Sequence, residues 1–110
     1  MSENELEEAI NFLMRCLKEK GLKVSKIFLF GSQVKGKTSE GRDVDILIIS
    51  DDFQGKDIFE RARLTKEAEI LTLKKFMMPL DIITLTSEEL GSGTSIVAEY
   101  AKKGEVMYAA

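Results

Sequence analysis

The sequence predicts an α/β fold of the α+β kind, a small mixed β-sheet flanked by helices. Three observations carry that reading. Apolar runs of strand length occur at 27–30, 46–49 and 82–83, the first two unbroken, as expected of strands covered on both faces. Longer segments with apolar residues at helical spacing lie between and before them. The first two runs are joined by a polar loop of about a dozen residues. Such strands can pair antiparallel, so the sheet is expected to be mixed and not doubly wound parallel.

The elements follow in order. Residues 2–20 read as a helix. Ser2 is its N-cap, with Glu5 in capping-box position. Leu6, Ala9, Ile10, Leu13 and Leu17 make one apolar face, and Gly21 is the stop. Cys16 borders that face as core filler, because nothing nearby in sequence would activate its thiol. The first strand spans 24–30. Gly31-Ser32 breaks it, one helical turn is expected at 33–37, and Gly36 and Gly41 punctuate the loop. Residues 44–50 form the second strand, and Asp51-Asp52 a solvated turn. Asp57 caps a long helix, Ile58–Phe76, which Pro79 ends. Met77 and Met78 are assigned to core gaps. The third strand is Leu80–Leu85, with Thr86 or Ser87 capping a short turn that holds Glu88 and Glu89. A last helix is expected at 96–103, and 106–108 as an edge strand. Residues 1–110 make one domain, without repeats or low-complexity tracts.

Composition narrows the chemistry. Apolar residues at 44% and charged residues at 32% are ordinary for a globular protein. No apolar run approaches the ~20 residues that span a bilayer. The acidic start lacks the basic n-region of a secretory leader, so the expected compartment is the cytoplasm. The net charge of −3, with no polybasic run, argues against a module built to grip a phosphate backbone. There is no histidine and one cysteine. Ser-His-Asp and Cys-His catalysis are thereby excluded, as are zinc sites of imidazole or thiolate. Any metal must sit on oxygen ligands, which selects a hard cation such as Mg²⁺ or Mn²⁺.

Three carboxylates fit that requirement. Asp43 and Asp45 are two apart at a strand entrance, so they share a face about 6.6 Å apart at a rise of about 3.3 Å per residue. Such a pair can converge on two cations about 3.5–4 Å apart. Val44, between them, points into the core. Asp81 interrupts an apolar strand, where a carboxylate is costly unless it is paired, with Lys74 or Lys75 for example, or metal-bound. Gly31-Ser32 offers a phosphate grip, glycine for close backbone approach and serine for a hydroxyl and exposed N–H groups. Gly31 to Thr38 also satisfies G-x-x-x-x-G-K-[ST]. A P-loop needs a long helix next, however, and Ser39-Glu40-Gly41-Arg42 runs straight into a new strand, so that reading is set aside.

Gly31-Ser32, ten residues, then Asp43-Val44-Asp45 resembles the G-S-x10-D-x-D signature of the minimal nucleotidyltransferases in the DNA polymerase β-like superfamily. The resemblance covers nearly the whole chain, with Asp81 at the position of the third carboxylate and Tyr108 after a Gly-Glu turn. It implies a polymerase β-like nucleotidyltransferase fold. Gly31 and Ser32 would hold the triphosphate of ATP or another NTP, and Asp43 and Asp45 two Mg²⁺ ions. Asp81 would assist the metal and activate the attacking hydroxyl. Many members carry Arg after the Gly-Ser and a small polar residue before the first Asp; here Gln33 and Arg42 stand there. Lys35, Lys37 or Arg42 would supply the charge. The implied activity moves an NMP, AMP foremost, to a hydroxyl with loss of pyrophosphate. The chain has little room for an acceptor-binding domain, so a partner is expected. In this family that is often a helical HEPN-domain toxin, which some members AMPylate as antitoxins. The alternative is a nucleotidyltransferase-fold subunit that neutralises its partner by contact alone.

Overall fold

The computed structural model describes residues 3–30, 44–91 and 105–109. Helix α1 (Glu3–Glu19) is followed by β1 (Lys26–Phe30) and β2 (Val44–Ile49). A short 3₁₀ turn (Asp51–Phe53) leads to α2 (Ile58–Phe76), β3 (Leu80–Leu85), α3 (Ser87–Gly91) and β4 (Glu105–Ala109). The strands form one sheet in the order β3-β2-β1-β4. β1 pairs antiparallel with both β2 and β4, while β2 pairs parallel with β3. The sheet is therefore mixed, as predicted. The helix expected at 96–103 and the turn at 33–37 lie outside the described residues.

Strand alternation sorts the side chains into two layers. On one face Ile27, Leu29, Val44, Ile46 and Ile48 pack against Leu6, Ile10, Leu13 and Leu17 of α1 and Ala68 of α2. On the other, Phe28, Leu47 and Ile49 meet Ile83, Leu85 and Leu90. Residues 46–49 are at most 1% exposed, which explains why they read as a continuous apolar run.

Local chemistry fixes the element ends. Gly21, at φ 90°, closes α1: its N–H bonds Lys18 O and the Leu22 N–H bonds Leu17 O, a Schellman pattern that only a left-handed residue permits. The Asp57 side chain accepts from the Glu60 N–H at 2.8 Å while Glu60 accepts from the Asp57 N–H at 3.1 Å, a reciprocal capping box. Ser50 is fully buried; its hydroxyl donates to Lys23 O at 2.6 Å and accepts from the Asp52 N–H at 3.1 Å. Asp52 in turn accepts from the Lys23 N–H at 2.8 Å, so the Asp51-Asp52 turn ties β2 to the end of α1.

Two sequence expectations are corrected. Met78 fills the core at 1% exposure, but Met77 is 79% exposed. Met77 adopts the left-handed conformation (φ 52°, ψ 40°) and its N–H bonds Leu73 O, so α2 ends by a C-cap three residues after Lys74, before Pro79 acts. Asp81 is exposed, so the desolvation cost expected of it does not arise. It sits on the end strand of the sheet.

Candidate active site

Asp45 and Asp81 are direct register partners on the parallel strands β2 and β3. Each is the second residue of its strand, after Val44 and Leu80. Those preceding residues are buried in the helix-covered layer, so the two aspartates point to the opposite face, the one shared with Leu47 and Ile83. Val44 thus points into the core, as expected. Across β2, Asp45 is paired with Phe30, the last residue of β1. The polar segment 31–43 leaves the sheet from Phe30 and re-enters at Val44. The acid pair therefore stands where that segment begins and ends.

Strands in a sheet lie about 4.8 Å apart, so two carboxylates in register are close neighbours, and like charges directly opposite are destabilising. Asp45 is half-buried, which strengthens that repulsion relative to open water. A hard cation between the two would reverse its sign. The oxygen donor set fits Mg²⁺ or Mn²⁺. Among the described residues no group of three or more His, Cys, Asp or Glu is placed to hold a metal. Asp43, the third carboxylate, lies outside the described residues, as do Gly31, Ser32, Gln33, Lys35 and Arg42. Lys75 lies over the Phe12 ring at 4.6 Å and the Phe76 ring at 5.7 Å, which gives it a packing role on α2.

A second polar cluster lies along β3, and the sequence reading did not single it out. The Arg61 guanidinium of α2 grips Glu89 of α3 through Nη1–Oε1 at 2.8 Å and Nη2–Oε2 at 3.3 Å. It also donates to Lys56 O at 2.9 Å and Thr84 O at 3.3 Å. The Arg61 hydrogen bonds hold the Glu89 carboxyl below its usual range, and burial partly opposes this. Glu89 accepts from the Thr86 N–H at 2.8 Å, and Thr86 Oγ1 accepts from the Glu89 N–H at 3.1 Å. Thr86 is thus the cap, and Thr86-Ser87-Glu88-Glu89 was the legible signal; its partner on α2 was not. A cleft of about 430 Å³ opens beside this cluster, between α2 and β3.

Residues 10–103 match the family described as nucleotidyltransferase domain, and the chain belongs to that family. It is a nucleotidyltransferase, as its resemblance to the minimal members of that class implied. Two solved structures share the fold. A Sulfolobus solfataricus protein assigned as a nucleotidyltransferase is 17% identical with a TM-score of 0.53, over 99% of this chain and 90% of its own. A toxin–antitoxin structure with AMP-PNP is 19% identical with a TM-score of 0.64, over 91% of this chain and 73% of its own. No curated protein matches the chain.

Proposed function

We propose that this nucleotidyltransferase moves AMP from ATP to a hydroxyl on a partner protein. The observation that carries the proposal is the Asp45–Asp81 register pair: two like charges side by side on adjacent strands, next to a Gly-Ser and Asp-x-Asp segment. Asp43 and Asp45 would hold two Mg²⁺ ions with help from Asp81, and Gly31, Ser32, Gln33, Lys35 and Arg42 the triphosphate. When bound, the metal ions would neutralise phosphate charge and orient the attacking and leaving oxygens. In the reaction the acceptor oxygen bonds the α-phosphorus, the bond to pyrophosphate breaks, and a carboxylate takes the hydroxyl proton.

The choice of ATP and of a protein acceptor draws support from the toxin–antitoxin structure with AMP-PNP. The family resemblance suggests a HEPN-domain toxin as the partner and the antitoxin role for this chain. Among the described residues no helix is long and apolar enough to cross a membrane, in keeping with a cytoplasmic site of action.

The test is label transfer. The purified protein is incubated with Mg²⁺, [α-³²P]ATP and the product of its neighbouring gene. Labelling of the partner that Asp45→Ala reduces at least a hundredfold supports the proposal. No transfer from any NTP overturns it, in favour of a subunit that neutralises its partner by contact alone.

A further inference from the structure

The sheet ends at β3, which is paired on one side alone. Which backbone groups face outward follows from the hydrogen bonds. Pro79 O and Leu85 O accept from the β2 side, from the Val44 and Ser50 N–H groups. Alternation then turns the N–H and C=O of Leu80, Ile82 and Thr84 to the outside. Arg61 takes Thr84 O. At Ile82 the outward donor and acceptor remain, on an edge with neither a bulge nor an inward-pointing charge to protect it.

The α2–β3 cleft runs along this same edge. Ile82, Ile83 and Thr84 form one wall; Ile58 and Ala62 of α2 stand opposite. Ile58 is 73% exposed, an unusual state for a large apolar side chain beside a cleft. An added strand bonded to Ile82 would alternate its side chains. The residue opposite Ile82 would turn toward α2, onto Ile58 and Ala62. The residue opposite Asp81 would turn to the other face, beside the Asp45–Asp81 pair.

We infer that the open edge of β3 docks an extended segment of a partner protein as an added strand. Its apolar residues face Ile58, and a hydroxyl residue opposite Asp81 is presented for transfer. What the docked segment is for rests on the transfer reading above; that it docks there does not. The segment has β-branched apolar residues on either side of one Ser, Thr or Tyr, a pattern suited to a strand of this register.

The experiment separates the two claims. The probe is a fluorescein-labelled ten-residue peptide that alternates Val with Thr and Lys around a central Tyr, and binding is read by anisotropy. Binding to the wild type is expected to weaken at least tenfold in Ile82→Pro, which removes the outward N–H at an edge position where proline is tolerated. The same loss is expected in Ile58→Asp, an exposed change that leaves the core intact. Asp45→Ala should bind the peptide as the wild type does, so docking is measured even where no transfer occurs. Equal binding by wild type, Ile82→Pro and Ile58→Asp overturns the inference. So does no binding at about 1 mM peptide, an affinity weaker than about −4 kcal/mol. If Ile82→Pro does not fold, Ile58→Asp alone decides.

Discussion

At the scale of single residues, the acid pair and Met77 set the terms. Asp45 and Asp81 were legible as candidates because they interrupt or open apolar strands, and the register now puts them side by side. Their reason for standing out is different from the one the sequence suggests. Burial of Asp81 is not the cost; proximity of like charges is. Mg²⁺ should therefore raise the melting temperature of the wild type and leave that of the Asp43→Ala/Asp45→Ala variant unchanged. At a hundredfold excess over Kd, binding of this kind is worth about 2.7 kcal/mol. Calorimetry with and without Mg²⁺ checks it, and an equal rise in both proteins would sink the metal site. Met77 shows what a residue alphabet hides. Two adjacent methionines look alike in sequence, yet one fills the core and the other takes a left-handed cap, because backbone conformation and not hydrophobicity decides at a helix end.

At the scale of elements, α2, β3 and α3 are tied by one ion pair. The boundaries of α2 and β3 could be read from Asp57, the apolar spacing and the strand run, because each signal lies within a few residues. Arg61–Glu89 could not, since its members are 28 positions apart and nothing local to either points to the other. Glu89 is held below its ordinary carboxyl value mainly by Arg61. A carboxylate lowered in this way contributes stability above its unfolded-state value of 4.5 and loses it as pH falls through the lower folded value. Denaturant midpoints measured from pH 7 down to acid should thus fall for the wild type more steeply than for Glu89→Gln. The two curves should converge at the acid end. Parallel curves would mean that the ion pair adds nothing, as exposed pairs often do.

At the scale of the whole molecule, the mixed sheet was legible because its central strand is apolar on both sides and its first connection is short. Strand order was not, because which edge β4 joins depends on pairing between residues far apart, such as Ile27 with Tyr108. The cost of disturbing the centre can be stated. Ile46 is fully buried in the layer beneath α1, and Ile46→Ala should cost about 2–5 kcal/mol. That is a large part of the roughly 5–15 kcal/mol that holds a domain together. Urea unfolding, with the slope against denaturant unchanged, measures it.

Strand order also imposes a timetable during synthesis. β1 lies inside the finished sheet, yet its second neighbour is β4, encoded more than seventy residues later. Until that strand emerges from the ribosome, the outer side of β1 is bare, and Leu29, which pairs with Glu105, lacks its brace one residue before the end of β1. Phe30, the partner of Asp45, comes next. The nascent chain therefore holds its acid pair on an unsupported ledge until the strand at 105–109 has been made, and a nucleotide-handling surface is completed only near the end of translation.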